Sequence, residues 1–206
     1  MNIRSRCWCI LGTLFLAIFF STATSAAEPT YQGKTAGQWM EMLSQPAAEI
    51  RSQAFNELTQ ADQSGGEVLL VFLGEPHLSL RVIAVAGLHH MAPAYPAAIP
   101  ALTKAVLDVN LNVRYWALSA LKEYGREART AVPNIIKALE TFQGKGPALD
   151  GPARYYADAR ALAADALGSI GPDAKAALPA LENALQDPSP MVQESAKLAI
   201  KSIKGF

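Results

Sequence analysis

Five stretches of this chain set an alanine and, four residues later, a large apolar side chain in the same surroundings. The alanines are Ala54, Ala84, Ala117, Ala163 and Ala196, and their partners are Leu58, Leu88, Leu121, Leu167 and Ile200. Successive alanines lie 30, 33, 46 and 33 residues apart. Recurrence at such a spacing marks a chain assembled from repeated supersecondary units, none of which buries its own apolar faces. A second element recurs upstream: Ile99-Pro-Ala-Leu-Thr-Lys-Ala-Val-Leu-Asp108, Val132-Pro-Asn-Ile-Ile-Lys-Ala-Leu-Glu140 and Leu178-Pro-Ala-Leu-Glu-Asn-Ala-Leu-Gln-Asp187. Pro100, Pro133 and Pro179 suit the first turn of a helix, where the missing N–H has no intrahelical partner to lose. Leu102, Ala105 and Val106 then fall at i, i+3 and i+4, one buried stripe.

Each unit therefore reads as a first helix, A, and a second helix, B, carrying the alanine. The expected fold is an all-α superhelix of five such pairs over residues 36–204. A small side chain at one place per B helix lets the neighbouring helix come close, and stacked units share one core. Polar residues recur too. Arg51, Arg81, Arg114 and Arg160 open four B helices, and Glu75, Asp108 and Asp187 stand in A–B turns six residues before Arg81, Arg114 and Gln193. Acids in such turns can cap helix B or meet arginines of the same or an adjacent unit, so a structural ladder is the simplest role for this set.

In these features the chain resembles the HEAT and HEAT-like repeats, including those called phycobilisome-lyase-type. The resemblance rests on the turn acid, the Val/Leu-Arg start of helix B, Ala-x-x-Ala/Gly-Leu, and the closing Gly125-Arg-Glu-Ala128 and Gly171-Pro-Asp-Ala174. It implies an α-solenoid whose B helices line a concave protein-binding surface. The chain departs from the pattern in unit 1, with Gln45 for the turn acid, in unit 5, with Gln193 for the arginine, and in the interrupted unit 4. Ends of a solenoid are expected to be atypical, because each exposes one face to water.

The first 27 residues read as an address. Arg4 and Arg6 precede the uncharged run Cys7–Phe20, which passes into small residues ending Ser25-Ala26-Ala27. Charged start, short apolar centre and small-residue exit are the parts of a secretory signal peptide. The run is shorter than the ~20 residues that span a bilayer. The expected product is exported, periplasmic or extracellular, without a stable membrane anchor after cleavage. Removing this segment leaves 179 residues with 16 basic and 18 acidic groups and neither cysteine. A slightly acidic, thiol-free chain excludes disulfide scaffolds, thiolate catalysis and cysteine zinc sites, and offers nucleic acid no basic face. Residues 28–35 form a lead-in to the repeats. Trp39 occupies the position of Leu69, Leu102, Ile135 and Leu181 and is expected to seal the first unit.

Chemical motifs are sparse. Gly33-Lys34-Thr35 has the end of a phosphate-binding loop, but Glu28 stands where the first glycine belongs, and the short lead-in leaves no room for the preceding strand. His89 and His90 align with Lys122 and Glu123, as on a solvated helix end, and adjacent helical residues point about 100° apart, a poor arrangement for one metal. No catalytic constellation emerges, and no cofactor or metal is expected. The partner-binding candidates are aromatic and basic. Tyr115 aligns with residues that suggest exposure, Trp116 sits at the edge of the buried stripe, and Lys122 lies beside them. The 13-residue insertion of unit 4, about residues 142–157, reads as a loop rich in Gly-Pro that ends in Tyr155 and Tyr156.

The functional expectation is an exported, non-enzymatic scaffold that binds a protein through its concave face and insertion loop. The alternative is a HEAT-like lyase-type enzyme or helper acting on a chromophore or other ligand. The address makes one direct forecast: N-terminal sequencing of the protein recovered from the cell envelope is expected to start at Glu28. A chain that still carries Arg4 and Arg6 would mean a retained anchor.

Overall fold

The alanine and leucine columns become the seam of a two-layer helical stack. The computed structural model describes residues 28–141 and 153–205, with side chains over 28–141 and 159–205. Ten α-helices lie in that region. The A helices are α1 (Ala36–Ser44), α3 (Gly66–Leu73), α5 (Ile99–Ala105), α7 (Val132–Thr141) and α9 (Leu178–Ala184). The B helices are α2 (Ala48–Thr59), α4 (Leu78–Met91), α6 (Leu111–Tyr124), α8 (Ala153–Ile170) and α10 (Pro190–Lys204). Each A helix packs on its own B helix, and B helices pack on B helices and A on A along the array. The five column alanines are fully buried, as are Leu58, Leu88, Leu121 and Leu167. Ile200, in unit 5, is half-buried. Close B-to-B approach recurs at glycines: a Cβ added to Gly87 of α4 would come within 2.7 Å of the Leu58 carbonyl of α2, and one added to Gly168 of α8 within 3.0 Å of the Ala199 backbone of α10.

Turns between units follow from the Gly-x-x-Ala element. Gly125 (φ +53°) and Gly171 (φ +73°) hold conformations that a side chain would strain. Each opens a 3₁₀ segment, Gly125–Ala131 and Gly171–Ala177, whose Ala128 and Ala174 are fully buried. The chain thereby enters the next A helix directly, which explains why its proline is harmless there.

The lead-in folds more than its sequence suggested. Residues Thr30–Tyr31 (β1) and Lys34–Thr35 (β2) pair antiparallel around Gln32 (φ +49°) and Gly33 (φ +72°), a two-residue turn of the kind that matches strand twist. A short strand thus does precede Gly33-Lys34-Thr35, contrary to expectation, yet it builds a hairpin and not a phosphate loop. Thr35 caps α1 through a reciprocal box with Gln38. Trp39 is fully buried and donates its indole N–H to the Tyr31 carbonyl at 3.1 Å. The Tyr31 ring stacks on it at 5.9 Å, and Lys34 Nζ lies 4.5 Å from its ring centroid. The hairpin packs on α1 and against the start of α3.

The arginine and turn-acid set divides by unit. Arg81 of unit 2 forks onto Asp108 of unit 3, Nε to Oδ2 at 2.7 Å and a second nitrogen to Oδ1 at 3.2 Å. Arg160 of unit 4 makes the same fork onto Asp187 of unit 5, at 2.7 and 2.9 Å, with both residues buried. Each acid therefore serves the preceding unit's arginine. The residue six places after the turn position bonds its backbone instead: Arg114 and Gln193 donate to the carbonyls of Asp108 and Asp187, and Arg81 to that of Glu75. The acids do not cap the B helices. Asp108 and Asp187 accept from the amides of Asn110 and Ser189, two residues on, and Asn110 itself caps α6. Arg51 and Glu75 depart from the expected ladder, forming no ion pair among the described residues. Glu75 is one methylene too long for the aspartate turn that aims a carboxylate at the neighbouring guanidinium.

Removing one partner of a buried pair strands the other charge. Asp187→Ala is expected to cost ~3–5 kcal/mol in urea unfolding, whereas exposed Gln193→Ala should cost under about 1 kcal/mol. Equal shifts in the two unfolding midpoints would refute this ranking.

Candidate functional site

On α6 the register that buries Ala117 and Leu121 leaves Tyr115, Trp116, Ser119 and Lys122 on the accessible side. All four are half-buried, so Tyr115 is less exposed than its column suggested. The rings of Tyr115 and Trp116 meet edge-on, centroids 5.5 Å apart at 89°. Trp116 also packs against the core and meets the His89 ring at 5.1 Å and 61°. These arrangements match the preference of aromatic quadrupoles for edge-to-face contact.

His89 is the residue that alignment misjudged. Its column reads as a solvated helix end, yet its Nε2 lies 3.0 Å from Ser119 Oγ on the next unit. In the following unit the equivalent pair is ionic, Lys122 Nζ to Asp165 Oδ2 at 3.1 Å. One step further, Ser202 donates to the Gly168 carbonyl at 2.8 Å. These contacts stitch B helix to B helix along the accessible side. A signal was present in the sequence: the His89 and Lys122 column faces the Ser119 and Asp165 column, offset by one unit. His90 is exposed, and His77 precedes α4 without capping it by its side chain.

Chemically the cluster is an ordered patch of aromatic and polar side chains. The Ser119–His89 contact has the first two members of a nucleophilic arrangement, but no carboxylate hydrogen-bonds His89 among the described residues. Burial holds the His89 imidazole below its ordinary value near 6.5; Glu123 opposes that shift and His90 adds to it. No group of metal-ligating side chains gathers among the described residues. Tyr155 and Tyr156 fall within α8, which starts at Ala153 and so takes in the end of the expected loop. The segment from Ala153 to Ala157 contains no glycine or proline to stop the helix. The side chains of Tyr155 and Tyr156, the rest of the insertion at 142–152 and the signal segment 1–27 lie outside the described residues.

Residues 159–187, from α8 through α9 to the rung acid Asp187, match the family described as PBS lyase HEAT-like repeat. That stretch is a HEAT-like repeat, and the other units repeat its helix-pair fold. That description labels a repeat and carries no activity with it. No curated protein matches the chain in sequence. Among solved structures, it is similar to an engineered protein of the Northeast Structural Genomics Consortium at 21% identity and TM-score 0.54, covering 82% of this chain and 79% of that one. A second engineered protein from the same source matches at 21% identity and TM-score 0.51; this chain spans about half of it, 47%. Both likenesses show the fold alone, a HEAT-like solenoid.

The His89 contact gives the HEAT-like array a pH dependence. With its folded-state value depressed, His89 binds fewer protons folded than unfolded, so stability falls as pH drops through about 6.5 toward the folded value. The wild-type loss of Tm between pH 8 and pH 5.5 is expected to exceed that of His89→Gln. Parallel curves would remove His89 from the account.

Proposed function

We propose that this chain is an exported scaffold that holds a protein partner on the accessible side of its B helices, without catalysis. The observation that carries the reading is the ordered aromatic cluster of His89, Tyr115 and Trp116, half-buried on a rigid helix pair. Aromatic side chains fixed before binding give up little conformational freedom when a partner arrives, and they dominate binding hot spots. The HEAT-like architecture supports the same reading, because stacked units offer an extended surface without a deep catalytic cavity. The partner's approach is to the concave face of the solenoid. The insertion at about 142–157 of unit 4, with Tyr155 and Tyr156, takes part in the same capture. Export follows from the signal-like residues 1–27. Among the described residues no helix is long and apolar enough to cross a membrane.

The test is in-envelope crosslinking with mass spectrometry on cells expressing the wild type or the combined Tyr115, Trp116, Tyr155 and Tyr156 alanine variant. The variant is expected to lose most of its crosslinked protein neighbour, about tenfold or more, while far-ultraviolet circular dichroism retains its helicity. A neighbour captured undiminished would overturn the placement of the site. A co-purified chromophore in place of a protein neighbour would overturn the scaffold reading itself.

A further inference from the structure

The ladder has a rung missing, and a cleft opens beside the gap. Arg81 uses one terminal nitrogen to hold the Glu75 and Pro76 carbonyls, leaving Nε and its other terminal nitrogen to grip Asp108. Arg51 is held the same way, its corresponding nitrogen donating to the Gln45 and Pro46 carbonyls at 2.7 and 2.6 Å. Its other two donor positions meet no partner among the described residues. A cleft of about 430 Å³ that Arg51 helps to line opens between α2 and α4. Ser52, Asn56 and Ser79 are its other polar lining residues, and Leu43, Phe55 and Ile83 its apolar ones. Phe55 is 44% exposed, unusual for a phenylalanine on a stacked helix.

We propose that Arg51 and this cleft form a carboxylate-binding site, filled by an aspartate side chain of the protein partner that docks as the rung missing between units 1 and 2. The two complete rungs define what suits the site. In each, a planar carboxylate meets Nε and a terminal nitrogen in a fork, the geometry in which arginine binds carboxylate best. Ser79 belongs to the first turn of α4, which has no side-chain cap and whose dipole favours a negative group. The apolar lining selects a carboxylate with hydrocarbon beside it over a bare anion. Unit 2 cannot complete the rung itself. Its turn reads Glu75-Pro76-His77 where unit 5 reads Asp187-Pro188-Ser189, and only aspartate folds back onto the amide two residues on. That the aspartate belongs to a protein rests on the scaffold reading above; the site itself does not.

The test follows arginine Nε–H resonances of the ¹⁵N-labelled chain during titration with the blocked pentapeptide Ac-Leu-Asp-Val-Asn-Leu-NH₂, which copies the turn at 107–111. The Arg51 resonance is expected to move saturably while that of Arg81 stays still. Asparagine for aspartate in the peptide should weaken binding at least about tenfold, and Arg51→Gln should abolish it. Glu75→Asp gives unit 2 the turn of unit 5, and should both raise Tm and weaken the peptide about tenfold by closing the fork from within. Indifference to the asparagine change, or binding that survives Arg51→Gln, would overturn the site. So would an Arg51 resonance that moves on Glu75→Gln without peptide, since Glu75 would then already occupy the fork. Sodium acetate binding as tightly as the peptide would overturn the choice of a protein side chain over a small acid. A still Arg51 resonance beside a neighbour that the aromatic variant loses sinks this site and leaves the scaffold standing; the opposite pair of results does the reverse.

Discussion

Every B helix surrenders side-chain volume at the place where it meets its neighbour, and the rest of the molecule follows from that concession. An alanine at the crossing brings backbones close enough for leucines of adjacent units to share one core. Burial alone, however, leaves stacked helices free to slide. The arginine–aspartate forks restrict that freedom, since a bidentate pair tolerates little displacement. They join α4 and α8 to the turns of the following units. Hydrophobic contact thus sets the spacing, and charge sets the register.

The columns that repeat were legible from sequence because repetition averages over local accidents. Trp39 could be placed in the core by alignment alone, and its burial against the hairpin agrees with that position. What escaped was whatever depends on the unit next door. His89 reads as solvated within its own helix; only the partner column reveals Ser119 and Trp116 waiting across the interface. The acids illustrate the same point. Spacing of six ties Asp108 to Arg114 and Asp187 to Gln193 of their own units, yet each fork goes to the arginine of the unit before. Glu75 shows a finer limit, because one methylene separates a residue that aims its carboxylate from one that does not.

Function in such an array resides where the repeat stops being a repeat. Along most of the accessible side the polar groups answer one another, His89 with Ser119 and Lys122 with Asp165, which leaves little unsatisfied hydrogen-bonding capacity for a visitor. Two places differ. The Tyr115–Trp116 pair presents fixed aromatic area, and Arg51 presents donors that its homologues along the chain have already committed. Both lie on B helices, within three successive units, so a single extended partner segment could meet both.

The five buried alanines are chemically identical, but their places in the line are not. A stack held together only by nearest neighbours behaves as a one-dimensional chain, and about three units are needed for a stable run. A bulky side chain at Ala196 would loosen one end and leave four units still joined. At Ala117 the same wedge would divide the array into remnants of two and two, each below that minimum. Tolerance to sequence change therefore falls toward the centre of the array, although every one of these alanines is fully buried.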